Sequence, residues 1–167
     1  MKLKKIIYIL SLSVSLLAIS CNHIDSSRIP AMPVNIQLDN TGLWNTYGVF
    51  SYGQYRMFIK SKKLPSNFSY SALSYTGFGG VLLISGNDNG DYNTPLAYDL
   101  ACPVEAKESV IVGINSKYEA VCPVCGSVYN VCEGYGAPVS GRALDLHYGL
   151  QRFRVYPASL GGYIIGR

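Results

Sequence analysis

Two stretches decide the reading of this chain: LAYDLACPV, residues 96–104, and KYEAVCPVCGSVYNVC, residues 117–132. Each runs into a cysteine followed by proline. Cys102 ends the first run, Cys122 and Cys125 sit in the second with Gly126 and Ser127, and Cys132 lies just beyond. Two short cysteine loops separated by one hairpin's worth of chain suit a β-rich protein that holds a metal between two loop tips. Cys122 and Cys125, with two residues between them and followed by glycine, form a knuckle. Its two thiolates point at one centre, and the centre needs two more ligands. Cys102 is the natural third, and Cys132, His147 and Glu105 are the candidates for a fourth.

Working outward, the flanks read as strands and turns. Residues 34–38 (VNIQL) alternate apolar and polar, the period of a half-buried strand. Residues 57–59 (MFI) and 81–84 (VLLI) are further strands. Asn89-Gly90 between Asp88 and Asp91 is hairpin-turn chemistry, because glycine takes positive φ without steric cost. That segment lacks the spaced acidic ligands and closing glutamate of a calcium loop. Residues 96–100 return as a strand, and residues 109–114, 127–131, 144–150, 153–156 and 163–165 supply more. Gly134, Gly136, Pro138 and Gly141 mark a long turn. Residues 43–55 carry Trp44, Tyr47, Phe50, Tyr52 and Tyr55, which suit core and sheet-face packing better than a ligand groove. No long amphipathic helix and no repeat is evident. With 14 tyrosines, 17 glycines and only 14% charged residues, the composition favours strands and turns over disorder.

The N-terminus reads as an address. Residues 1–20 (MKLKKIIYILSLSVSLLAIS) have a basic start, then an apolar stretch too short and too serine-rich for a comfortable spanning helix, then small residues before Cys21. The pattern resembles a bacterial lipoprotein signal, which implies that Cys21 is acylated and becomes the mature N-terminus. The expected organisation is a signal at 1–20, a lipidated polar tether at 21–33 and a β domain at 34–167. The expected location is the bacterial cell envelope, outside the cytoplasm, with the membrane engaged through Cys21. The formal charge of +4 includes Lys2, Lys4 and Lys5 of this leader, so the mature chain is near neutral. No basic block remains, which argues against nucleic acid as a partner. Phosphate loops, serine-nucleophile elbows and paired carboxylates for glycoside chemistry are also missing.

The two cysteine loops together resemble the boxes of the Rieske iron–sulfur family. That family has Cys-x-His, a spacer, then Cys-x-x-His-Gly-Ser. Here Cys102 matches the first cysteine and Val104 stands at the first histidine. The spacer is 105–121, Cys122 matches the second cysteine, Cys125 stands at the second histidine, and Gly126-Ser127 match the Gly-Ser. Residues 136–138 are similar to the family's Gly-Pro loop, and the resemblance covers about residues 78–157. It implies an all-β fold of stacked antiparallel sheets with both cysteine loops at one tip. It also implies electron transfer to a redox partner protein rather than an enzyme in its own right. Ser127 and Tyr129 match positions that donate hydrogen bonds to the cluster and its cysteine. A Rieske 2Fe–2S cluster uses two cysteines on one iron and two histidines on the other, and both histidines are absent here. Three outcomes follow: a cofactor-free domain whose loops are joined by a disulfide such as Cys102–Cys122 or Cys102–Cys125, a mononuclear zinc or iron site, or a 2Fe–2S cluster with a substitute ligand. Cys132 is then a buried hydrophobe, a disulfide partner or the fourth ligand.

Overall fold

The computed structural model describes residues 23–167. The leader and Cys21, and with them the lipidation expected there, lie outside the described residues. Among the described residues no helix is long and apolar enough to cross a membrane. In chain order the strands are β1 (Val34–Asn40), β2 (Tyr55–Phe58), β3 (Tyr75–Thr76), β4 (Val81–Asp88), β5 (Asp91–Asp99) and β6 (Gly113–Ile114). They continue as β7 (Ala120–Val121), β8 (Val128–Asn130), β9 (Ala137–Ser140), β10 (Arg152–Pro157) and β11 (Gly161–Gly166). Two short helices interrupt them, α1 (Thr41–Tyr47) and α2 (Arg142–Leu146). The fold is all-β, as the composition and turn spacing indicate.

Seven strands form one antiparallel sheet in the order β2-β4-β5-β10-β11-β1-β3, and β6-β7-β8-β9 form a second. β4 is buried on both faces. Leu82 and Ile84 enter a core shared with the second sheet, and Val81 and Leu83 enter a core with Ile36, Leu38, Trp44 and Phe153. This double burial explains why VLLI is a continuous apolar run and not an alternating one. Each such side chain, withdrawn fully from water, contributes about 1.5–3 kcal/mol. The β4–β5 hairpin turns at Asn89 and Gly90, both at positive φ, as the Asn-Gly pair demands.

The structure differs from the sequence expectation in five places. Of residues 109–114 only Gly113–Ile114 form a strand, while Ile111 makes a single bridge to Ala101 and Cys102 N–H takes the Val110 carbonyl. Residues 41–47 are helical, because Asn40 caps the segment by accepting a hydrogen bond from Leu43 N–H (2.9 Å) and Trp44 packs on Tyr163 at 4.5 Å. Trp44 is in the core as expected, while Phe50, Tyr52 and Tyr55 lie at the surface, Phe50 edge-on to Trp44 and Tyr52 edge-on to Tyr118. Residues 137–140, where the sequence points to a turn, form β9 beside β8, with Pro138 opposite Tyr129 across a register shift. Residues 142–146 form α2, and not a strand. Finally, the segment expected as a tether runs against the domain. Asp25 N–H bonds His147 O (2.7 Å), Gly149 N–H bonds Asp25 O (2.9 Å) and Ile29 is buried.

One polar clasp positions the first cysteine loop. Asp99, at the end of β5, is fully buried. Its carboxylate accepts from the backbone N–H groups of Phe78 (2.8 Å), Gly79 (2.9 Å) and Ala101 (2.8 Å). Gly77 fits this clasp because a Cβ there would crowd Asp99 Oδ2 at 2.7 Å. Burial pushes the Asp99 carboxyl above its ordinary range, and the three N–H donors pull it back only in part.

Candidate metal centre

The chain leaves β5 at Asp99, crosses Leu100 and Ala101, and turns at Cys102. Cys102 N–H bonds Val110 O (3.0 Å), and Cys102 O accepts from Ala106 N–H (2.8 Å). The second loop joins β7 to β8. Cys122 N–H bonds Ser127 O (2.9 Å), and Cys122 O accepts from Gly126 N–H (3.0 Å). The two loops meet at one end of the second sheet, as expected, and bring three sulfurs together. The Sγ atoms of Cys102, Cys122 and Cys125 all lie within 4.8 Å of one another, so the trio could hold a metal ion. Cys102 and Cys122 are buried and Cys125 is half-buried.

Cys102 Sγ and Cys125 Sγ are 3.7 Å apart. A disulfide requires about 2.05 Å, so the expected Cys102–Cys125 or Cys102–Cys122 link is not formed. All four cysteines of the described residues are free. By contrast, thiolates about 2.3 Å from a tetrahedral zinc are about 3.8 Å apart along each edge, close to the observed separation.

Hydroxyls surround the sulfurs. Tyr129 OH lies 3.4 Å from Cys102 Sγ, fully buried. Burial foremost, then the contact with Cys102, raises the Tyr129 phenol above its ordinary value, so it keeps its proton to donate to the sulfur. The Cys125 thiol donates to Ser127 Oγ at 3.2 Å, and Ser127 Oγ also accepts from Ala143 N–H at 3.0 Å. When Cys125 is a thiolate, the Ser127 hydroxyl hydrogen is free to turn toward it. Burial pushes Cys125 up, but the side-chain and backbone hydrogen bonds of Ser127, together with the contacts to Cys122 and Cys102, outweigh it and leave the thiol below its ordinary value. Burial pushes Cys122 up, opposed by the backbone N–H groups of Cys125 and Val124. Ser127 and Tyr129 thus lie against cysteine sulfurs.

The candidates for a fourth ligand divide. Cys132 is buried elsewhere, its Sγ 3.6 Å from Tyr118 O and 3.9 Å from Ser85 O, and it neither pairs in a disulfide nor joins the trio. Burial raises its thiol to about 11, in keeping with an inert packed side chain. His147 caps the C-terminus of α2 with φ 56° and is exposed, also outside the trio. Val104, at the position of the first Rieske histidine, is packed against the core and has no lone pair to offer. Glu105 is half-buried in the first loop, its carboxylate outside the 4.8 Å grouping. One signal escaped the sequence reading: residues 102–106 (CPVEA) and 122–126 (CPVCG) are the same pentapeptide at three of five positions.

Comparison of the chain with family models, with curated proteins and with solved structures gives no match in any of the three.

Proposed function

We propose that this protein is a lipid-anchored envelope domain that carries one metal ion at Cys102, Cys122 and Cys125, and that the ion is iron serving electron transfer to a protein partner. The convergence of three thiols from two separate loops is the observation that carries this reading. Buried free thiols are common, but three within one coordination sphere are what soft-metal sites use. The single ion is favoured over a Rieske cluster on donor chemistry. Val104 cannot ligate, and a third sulfur this close to the other two fits one ion better than a second iron across bridging sulfides. The hydroxyls of Ser127 and Tyr129 would stabilise thiolate charge, and hydrogen bonds to sulfur raise the potential of an iron–thiolate centre. The residues therefore fit a mononuclear site.

A structural zinc is the second reading. Backbone N–H groups of Val124 and Cys125 directed at Cys122 describe a knuckle that zinc fills as readily as iron. Metal analysis with the visible spectrum of protein purified without oxygen separates the two. One iron per chain with thiolate charge-transfer absorption supports the electron carrier. One zinc and no colour supports a structural site, and two irons with two sulfides would restore the cluster. A chain that binds no metal under any of these conditions would defeat the proposal.

A further inference from the structure

The two cysteine loops are built alike. In each, the first cysteine is buried and its carbonyl accepts from the N–H four residues on, Ala106 in one loop and Gly126 in the other. In each, that fifth residue takes positive φ, 47° at Ala106 and 68° at Gly126. Ala106 holds a left-handed conformation that costs alanine about 1 kcal/mol or more and glycine little, so the turn shape is kept where the sequence does not favour it. The fourth residue is half-buried in both loops: Cys125 in the second, Glu105 in the first. Within the second loop, positions one and four both give their side chains to the sulfur cluster. The matching turn gives position four of the first loop the same backbone frame.

We infer that Glu105 is the fourth ligand of the ion, completing a pseudo-symmetric site of three thiolates and one carboxylate. This rests on the single-ion reading and adds its missing donor. Among the described residues the Glu105 carboxylate has neither a hydrogen bond nor an ion pair, although it is half-buried. Its three side-chain torsions let it swing inward when an ion arrives, which the short, packed Val104 cannot match by any rotation. Carboxylate oxygens bind zinc at about 2.0–2.2 Å and thiolates at about 2.3 Å, so one oxygen among three sulfurs has a distinct signature.

The test titrates the full chain in detergent, reduced and without oxygen, with cobalt(II) alone, and reads ligand-field and thiolate charge-transfer bands with X-ray absorption of the bound ion. Wild type is expected to show three sulfurs and one oxygen. Glu105→Gln, which keeps shape but lowers donor strength, should weaken binding about 10–100-fold. Glu105→Cys should convert the shell to four sulfurs, shift the ligand-field bands and bind at least as tightly. Unchanged affinity and an unchanged oxygen shell in Glu105→Gln would overturn the assignment and identify solvent as the fourth donor. A four-sulfur shell in wild type would overturn it in favour of another cysteine. Failure of folded wild type, with its thiols free by titration, to bind cobalt at all would overturn the single-ion reading itself. Circular dichroism of each variant excludes misfolding as the cause.

Discussion

Replacing Asp99 by alanine is the sharpest perturbation of the scaffold that presents Cys102. Three backbone N–H donors, those of Phe78, Gly79 and Ala101, lose their acceptor at once, the first at a part-buried bond and the other two at buried ones. Hydrogen bonds to a charged acceptor contribute about 1.5–3 kcal/mol each, so the gross loss is about 4–9 kcal/mol. Two effects reduce it. The buried carboxylate already costs desolvation energy, visible in its raised pKa, and water can enter the space left behind. A net loss of about 3 kcal/mol or more remains. Asp99→Asn should cost less, since Oδ1 can still accept from Gly79 and Ala101 while the amide NH₂ faces the Phe78 N–H, donor to donor. Equilibrium urea denaturation followed by the fluorescence of Trp44, the sole tryptophan, measures both. The pH dependence has a definite sign. A carboxyl raised above 3.8 in the folded state adds stability that is complete below 3.8 and is lost as pH rises through the folded value. The gap between wild type and Asp99→Asn should therefore widen on acidification toward pH 4. Asp99→Ala within 1 kcal/mol of wild type would refute the clasp, whereas a gap that narrows on acidification would show that the three N–H donors outweigh the burial.

Other outcomes follow from the same structure. Cys125→Ser should lower cobalt or zinc affinity by at least about 100-fold, read by competition with a chromophoric chelator, because a weaker oxygen donor replaces one of three thiolates. Metal at 100 times its dissociation constant should stabilise the domain by about 2.7 kcal/mol, and chelation should reverse the rise in Tm seen by calorimetry. Gly162→Ala should destabilise by about 3 kcal/mol in urea, since its Cβ would fall on the Leu38 carbonyl where β11 lies against β1. Asp88 is held below its ordinary pKa first by Tyr135 OH and then by Arg152. Its contribution is present above pH 3.8 and lost as pH falls through the depressed value. Because the pair with Arg152 is about one-third exposed, Asp88→Asn should cost under about 1 kcal/mol at pH 7 and progressively less as pH falls below 3.8.

What the sequence disclosed follows from how local each signal was. Alternation at 34–38 and the Asn-Gly turn specify strands through their own side chains, and both features are in the structure. Cysteine spacing indicated three converging sulfurs without any knowledge of the sheet. α1 was hidden because a seven-residue helix containing Gly42, Thr41 and Trp44 has poor intrinsic propensity, and the Asn40 cap and the packing of Trp44 hold it. β9 was hidden because Pro138 and its flanking glycines speak for turns, although a proline can occupy an edge strand such as this one. Leu144, Leu146 and Leu150 suggested a strand, yet Ala143 N–H is needed at Ser127 and a helical start delivers it. The docking of residues 25–29 had no local signal, since it depends on His147 and Gly149, far along the chain.

The three sulfurs come from different places in the fold: Cys102 follows β5 of the seven-stranded sheet, whereas Cys122 and Cys125 belong to the four-stranded one. An ion held there would act as a cross-link, closing a loop of about 20 residues and removing about 3 kcal/mol of chain entropy from the unfolded state, as a disulfide of that span does. Linkage then runs both ways. Any substitution that loosens the packing between the sheets, however far from sulfur, will register as weaker metal binding, and a survey of core variants by metal affinity would map the mechanical union of the two sheets.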